Sequence, residues 1–318
     1  MCTAISIKGK KNNYFGRTLD VEVDYPTSVV VCPRNFVVDE NLKSHYAIIG
    51  MAMVLDDYPL FFDASNEFGL AMAGLNFPDN ACYFPDKKGK LNLPCYKLIP
   101  YILGRCKTVA EAKKMFSKIN ITTDTFSSIP NSPLHYIVSD GNNSITVEQT
   151  KNGLKIFDNI VGVLTNNPTF DWHMTNLVNY LNVTDDEAKN RMLKNIPLKA
   201  FCKGLGGVGL PGDLSSPSRF VRVTFSKNRA LLYDNEEESV SQFFHILGGV
   251  AQTTGLAKAG KSYEKTLYTS CINTTKGIYY YITYFNSRVV GVDMAKHNLD
   301  GKVLSVYPLN YKSDFLYL

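Results

Sequence analysis

The second residue of the chain is a cysteine, and its place matters more than its type. An initiator Met followed by a small residue is usually removed, which would leave Cys2 carrying both a thiol and a free α-amine. That pairing sets a base beside a nucleophile. An α-amine has a reference pKa of about 7.7–8.0, so near neutral pH it can take the thiol proton and later return one to a leaving amine. Nucleophile activation by an N-terminal amine is an established alternative to a histidine partner. The plainer reading is a cysteine that only packs in a strand, and Cys2 taken alone favours it.

The stretch Tyr14-Phe15-Gly16-Arg17-Thr18-Leu19-Asp20 reads as the strand that pairs with the first. Such a hairpin brings Arg17 and Asp20 towards Cys2 at the sheet end. There a guanidinium favours the thiolate, and a carboxylate holds the ammonium form of the terminal amine. The alternative is a surface ion pair worth about 0–1 kcal/mol.

Positioning these groups requires a framework, and the chain supplies strand and helix patterns in blocks. Cys2–Lys8 alternates with Ile5 and Ile7 on one face, and Gly9-Lys10-Lys11-Asn12 turns the chain into the second strand. Residues 28–32, 46–53 and 69–75 read as further strands. Residues 95–105 and 109–119 carry apolar side chains at helical spacing, with Thr108-Val109-Ala110-Glu111 as a capping box ahead of the second. Strands return at 134–138, 144–149, 154–157 and 161–164 as a meander, its first turn at Asp140-Gly141. Helices at 219–230 and 239–252 follow, then strands at 267–272, 277–285 and 289–294. Hairpin-length turns inside each strand group contrast with strict βαβ alternation. The order predicts an α+β fold of two mainly antiparallel sheets flanked by helices. With no repeat, low-complexity tract or linker, residues 1–318 read as one domain.

Five blocks, in order over nearly the whole chain, carry a resemblance: M-C-T-A at the start, F-G-R-T-L-D at 15–20, A-G-L-N-F-P at 73–78, L-T-N-N-P-T-F-D-W at 164–172 and G-L-P-G-D-L-S-S-P-S-R-F at 209–220. The chain resembles the choloylglycine hydrolase family of N-terminal nucleophile hydrolases, and within it the bile salt hydrolases. The resemblance implies an αββα sandwich with Cys2 as nucleophile and Arg17 and Asp20 as its electrostatic partners. It further implies Arg219 as a basic residue holding the site, Asn166 as an oxyanion donor and Asn76 lining the same hole, with no metal or organic cofactor. Taken singly, Asn76 and Asn166 are also good turn formers before Pro, and Arg219 is also a surface charge at a helix start. In register with Cys2, the set favours catalysis.

The family divides mainly between bile salt hydrolases, which release glycine or taurine from a steroid acyl group, and penicillin V acylases. Asn76 stands where the acylases often have Tyr, which favours the first. Leu19, Leu55, Phe61, Phe126 and Ile129 fall where the family's steroid-pocket loops lie. They would bury an acyl group at about 25 cal/mol per Å², although any core uses the same residue types. Lys203, in Cys202-Lys203-Gly204-Leu205-Gly206, would meet an anionic glycine or taurine head. Family members are commonly homotetramers held partly by an extended loop, to which 184–199 corresponds. Two readings of another class remain, a non-catalytic ligand-binding protein and a redox protein using Cys2. Blocking the amine stops the proposed catalysis and spares either of those.

Composition bounds the rest. With 45% hydrophobic and 20% charged residues in 318, the chain reads as globular and not disordered. Its net charge of +5 comes from scattered pairs such as Lys10-Lys11, Lys87-Lys88 and Lys113-Lys114. No nucleic-acid partner is expected from such spacing, while anionic substrates are mildly favoured. Seven cysteines without a C-x-x-C pair, and five histidines without an H-x-x-x-H pattern, predict free thiols in a reducing compartment and no metal site. Lys8, Lys10 and Lys11 interrupt any secretory h-region, and no stretch nears the roughly 20 apolar residues of a membrane span. A cytoplasmic protein acting on a small molecule is expected.

Overall fold

The computed structural model describes every residue except Asn41, Lys43, Ser128 and Lys194. Cys2–Lys8 (β1) and Asn13–Val21 (β2) form the hairpin expected from the sequence, with Cys2 opposite Leu19 and Ala4 opposite Arg17. They lie inside a six-stranded sheet. Val163–Leu164 pairs with β1, while Lys265–Asn273 pairs with β2 and leads on to Ile278–Thr283 and Val290–Asp293. The second sheet has eight strands. Thr27–Cys32 (β3), Ile48–Leu55 (β4), Tyr58–Asn66 (β5) and Ala71–Asn76 (β6) run in sequence order, and Leu134–Ser139, Ser144–Thr150 and Gly153–Asp158 continue them. Ser305–Pro308 closes the other edge against β3.

The two sheets stack face to face, and helices cover their outer faces. Strand alternation sorts the side chains. In β3, Val29 and Val31 join the cluster that includes β1 and β2, whereas Val30 and Cys32 join the cluster under helices Leu98–Arg105 and Val109–Phe116. Ser216–Arg229 and Glu236–Gly248 cover the six-stranded sheet with Phe220, Val223, Phe243 and Leu247. Because both sides of β1 are covered, its Thr3 and Ser6 are buried along with its apolar residues. The layers run α, β, β, α, as the resemblance implies. Among the described residues no helix is long and apolar enough to cross a membrane.

Several differences from the sequence reading concern the site. Tyr58–Asn66 is a strand beyond those expected, so Phe61 lies within a strand and Leu55 ends one, in contrast to the expected loops. Its alternation is obscured by a bulge: Met51 faces Asp63 and Ala52 faces Phe61, leaving Phe62 as the extra residue. Val163–Leu164 was read as the last strand of the meander but crosses to the other sheet to pair with β1. Buried Asn159 steers that crossing, its Nδ2 donating to Thr146 Oγ1 at 2.9 Å and to Val163 O at 2.8 Å. Phe170–Asn176 is an unforeseen short helix. Residues 184–199, read as helix-compatible, hold no helix or strand among those described. Their charges carry no apolar stripe that packs on the core.

Candidate active site

Arg17 and Asp20 are separated by an odd step on β2, so they leave opposite faces of the sheet. Arg17 and Leu19 share a face with Cys2 and Ala4, while Thr18 and Asp20 share the other with Thr3. On the first face, Cys2 Sγ accepts a hydrogen bond from Arg17 Nη2 at 2.5 Å. The guanidinium is buried, and its Nη1 donates to Gly74 O at 2.5 Å and Phe62 O at 3.3 Å. The β5 bulge leaves the Phe62 carbonyl outside the regular ladder and open to this bond. Nearby, the buried Asp63 carboxylate accepts from Tyr268 and Tyr279 hydroxyls and from Ser270 Oγ, at 2.5, 2.7 and 2.9 Å. Ser270 Oγ in turn accepts the Arg17 backbone N–H at 3.0 Å. Gly16 permits this approach, since a Cβ there would lie 2.1 Å from Ser270 O.

The charges on this face support one another. Burial pulls the Arg17 guanidinium down, but Cys2, Tyr268, Asp63 and Asp20 together raise it above its ordinary value. Burial pushes the Asp63 carboxyl up, with Arg17 and the three hydroxyls opposing.

On the second face, the Asp20 carboxylate accepts from Thr266 Oγ1 at 2.7 Å and Thr18 Oγ1 at 3.0 Å. Arg219, in the first turn of Ser216–Arg229, reaches in from the helix layer. Its Nη1 donates to Cys2 O at 2.5 Å and Thr3 Oγ1 at 2.6 Å, and its Nη2 donates to Asn166 Oδ1 at 2.7 Å. Burial lowers this guanidinium from its ordinary value, with Asp20 the main opposing charge. The Cys2 backbone N–H donates to the same Asn166 Oδ1 at 2.8 Å. With Oδ1 held by two donors, the orientation of the amide is set. Asn166 Nδ2 donates to Asn76 O at 2.6 Å, which uses one of its two hydrogens.

Met1 occupies the N-terminal side of the site. Its ammonium donates to Asp20 O at 2.6 Å and to Glu264 Oε2 at 2.7 Å, and its carbonyl accepts from Asp20 N–H at 3.0 Å. The Cys2 nitrogen is therefore a peptide N–H here, and cleavage of the Met1–Cys2 bond is what turns it into an amine.

Cys2 and Arg17 line the polar part of a cavity of about 490 Å³, whose apolar part includes Leu19, Met53, Phe61, Tyr96, Phe126 and Ile129. Phe126 stacks on Tyr58 and meets Tyr96 edge-on, with ring centroids 5.3 and 5.2 Å apart. Asn76 also lines the cavity. Leu55 does not: it sits beside the Asp56–Asp57 hairpin tip. Lys203 is exposed, pairs with Glu187 at 3.2 Å and does not line the cavity either. Glu264, Met53 and Tyr96 also line the cavity, with no signal in the sequence that points to them. Glu264 is far along the chain with no motif around it, and the other two have the types of ordinary core residues. Among the described residues, no group of His, Cys, Asp and Glu is arranged to hold a metal ion.

Comparison with known proteins places this arrangement. Residues 2–307 match the model for "linear amide C-N hydrolases, choloylglycine hydrolase family". The chain is 46% identical to a bile salt hydrolase/transferase of Lactiplantibacillus plantarum, over 99% of each protein. It is 41% identical to a bile salt hydrolase/transferase of Clostridium perfringens, over 98% of this chain and 97% of the other. Among solved structures, a mutant conjugated bile acid hydrolase of Clostridium perfringens superposes with a TM-score of 0.92 at 40% identity, covering all of both chains. A penicillin V acylase from Agrobacterium tumefaciens shares the fold, with a TM-score of 0.75 at 22% identity over 96% of this chain and 90% of its own.

Proposed function

The chain belongs to the choloylglycine hydrolase family of linear amide C–N hydrolases, and from that premise we propose that it releases glycine or taurine from conjugated bile acids through a Cys2 thioester. The observation that carries the substrate is the seating of Cys2 Sγ in a cavity whose walls include Leu19, Met53, Phe61, Tyr96, Phe126 and Ile129. A steroid acyl group is rigid and mostly apolar, so it loses little freedom on entering such a cavity and gains from burial. The two relatives named bile salt hydrolase/transferase support the same substrate class.

The residues divide the work. Once Met1 is removed, the Cys2 amine takes the thiol proton, and the sulfur, held by Arg17, attacks the amide carbon. The carbonyl oxygen gains charge as the tetrahedral intermediate forms, and Asn166 Nδ2 has a hydrogen to offer it beside Asn76. Removing one such donor typically costs about 10²–10³ in rate. The C–N bond then breaks, the Cys2 ammonium protonates the departing amine, and a thioester remains. Water gives its proton to the same amine as it attacks the thioester, releasing the bile acid and the thiol. Asp20 ties its strand to Thr266 and Arg219 holds Cys2 O and Asn166 throughout.

Release of free amino groups from glycocholate, taurocholate and penicillin V, measured beside Cys2→Ala with intact mass confirming loss of Met1, tests the reading. Faster turnover of the bile salts, abolished by Cys2→Ala, is expected. Preference for penicillin V would move the substrate and keep the mechanism, and no hydrolysis by folded, Met1-free protein would overturn both. The exposed Leu181, Met192, Phe201 and Val208 also support assembly with further copies into a homotetramer, which sedimentation would read. Seven free thiols fit the cytoplasm.

A further inference from the structure

Two buried histidines, neither used by the chemistry above, grip the peptide on either side of Asn166. His173 is fully buried, and its Nε2 lies 2.9 Å from Asn166 O. A carbonyl only accepts, so Nε2 carries the hydrogen. Burial, with His135 and Arg219 adding repulsion, brings His173 down to about 4, which keeps the ring neutral near neutral pH with that hydrogen in place. The ring stacks on Phe220, next to Arg219, with centroids 4.6 Å apart and 18° between planes.

His135 repeats the arrangement one residue earlier. Its Nε2 lies 2.9 Å from Thr165 O and its Nδ1 lies 3.1 Å from Glu148 Oε1. Its ring stacks on Phe77, next to Asn76, at 4.2 Å and 7°. Glu148 Oε1 also accepts the Phe170 N–H at 3.0 Å, which anchors the start of the helix that carries His173. Each histidine thus joins a carbonyl of the 165–166 segment to an aromatic ring adjacent in sequence to another site residue.

We propose that His173 and His135 are positioning residues that fix the Asn166 side chain against the reacting carbonyl by holding the carbonyls of Asn166 and Thr165. The inference rests on the reading of Asn166 as the oxyanion donor. Neither ring is bonded to Cys2, and the sulfur's own hydrogen bond comes from Arg17, so alkylation of the thiol is expected to respond far less than turnover.

A double-mutant cycle tests it. His173→Leu lowers kcat on the preferred conjugated bile salt by about 10–100-fold, the scale expected of a misplaced catalytic group, with KM and the rate of Cys2 alkylation by iodoacetamide nearly unchanged. His173→Gln, whose amide N–H can take the place of Nε2–H, restores most of the loss, and His135→Gln gives a smaller loss of the same kind. In an Asn166→Ala background, His173→Leu adds less than about twofold, because it acts through Asn166. An equal loss in both backgrounds, or a parallel fall in alkylation, overturns the proposal. Should His173→Leu not fold, Asn166→Ala combined with His173→Gln and with His173→Asn, which reaches less far, carries the same comparison. The side-chain amide resonances of Asn166, identified by their disappearance in Asn166→Ala, give a reading independent of turnover. Their shift and broadening in the His173 variants is expected even if the wild type hydrolyses none of the substrates, an outcome that would overturn only the function. Unchanged resonances would overturn the positioning role itself.

Discussion

The two faces of the first hairpin solve different problems. The face between the sheets serves the sulfur: Arg17 donates to Cys2 Sγ, and its charge is set among Gly74 O, Phe62 O and the buried Asp63 cluster. The helix-covered face serves the nitrogen and carbonyl of the same residue: Arg219 holds Cys2 O, Asn166 holds Cys2 N–H, and Asp20 flanks Met1. One face is built almost wholly from strands, the other borrows a helix and a crossover segment. In the proposed chemistry the nucleophile carries its own base and is held from two sides at once, and a strand offers two sides through simple alternation.

Breaking one face at a time separates them. The largest effect belongs to the nitrogen. A Met1-retaining form keeps the Arg17–Cys2 contact but has a peptide N–H in place of an amine on Cys2, so hydrolysis is expected to fall by about 10³-fold, in line with loss of general acid–base catalysis. Iodoacetamide alkylation of Cys2, followed by mass, should change far less; equal loss of both would erase the division. Next comes Arg17→Leu, which attacks the sulfur face. Alkylation and turnover should then fall together, with turnover down by about 10²-fold, the cost of removing a charged partner from a buried site. Asp20→Asn gives the mirror result, with turnover reduced and alkylation nearly intact.

Asp63→Asn sharpens the same contrast through stability. It leaves three buried hydroxyls and the Arg17 charge less well matched, so urea unfolding should show a loss of about 2–4 kcal/mol. A variant as stable as the parent would show that the cluster is filler and not a counter-charge.

The smallest effect is on pH. His173 lies below its ordinary value of 6.5, at about 4, when folded. Between those values the unfolded chain binds the proton and the folded chain does not, so stability falls as pH drops from about 6.5 to about 4 and stops falling from this cause below that. His173→Gln should flatten that part of a urea-midpoint profile.

Local pattern is enough for some elements and not for others. Half of the Thr108–Glu111 box forms: Thr108 Oγ1 accepts the Glu111 N–H at 3.2 Å, but the Glu111 carboxylate accepts from Lys107 N–H at 2.7 Å and not from the Thr108 N–H. The first hairpin needed only alternation and a turn. Tyr58–Asn66 was missed because its bulge breaks the period that marks a strand. Val163–Leu164 was recognised as strand, but a strand's pattern does not say which sheet it joins.

Local period and turn chemistry suffice for the hairpin that brings the strand of Arg17 and Asp20 beside Cys2 and for the layered class, and the ordered motifs suffice for the family. The odd step from Arg17 to Asp20 already sends them to opposite faces of β2, but it takes the stacked layers to bring Glu264 to the N-terminal ammonium and two histidines to the carbonyls of the Asn166 segment. Glu264 lies 263 residues from Met1 and His135 lies 30 from Thr165, while His173 is turned back onto Asn166, 7 residues away, by the short helix that carries it. The geometry of these contacts comes from how sheets and helices stack, and no local spacing encodes that.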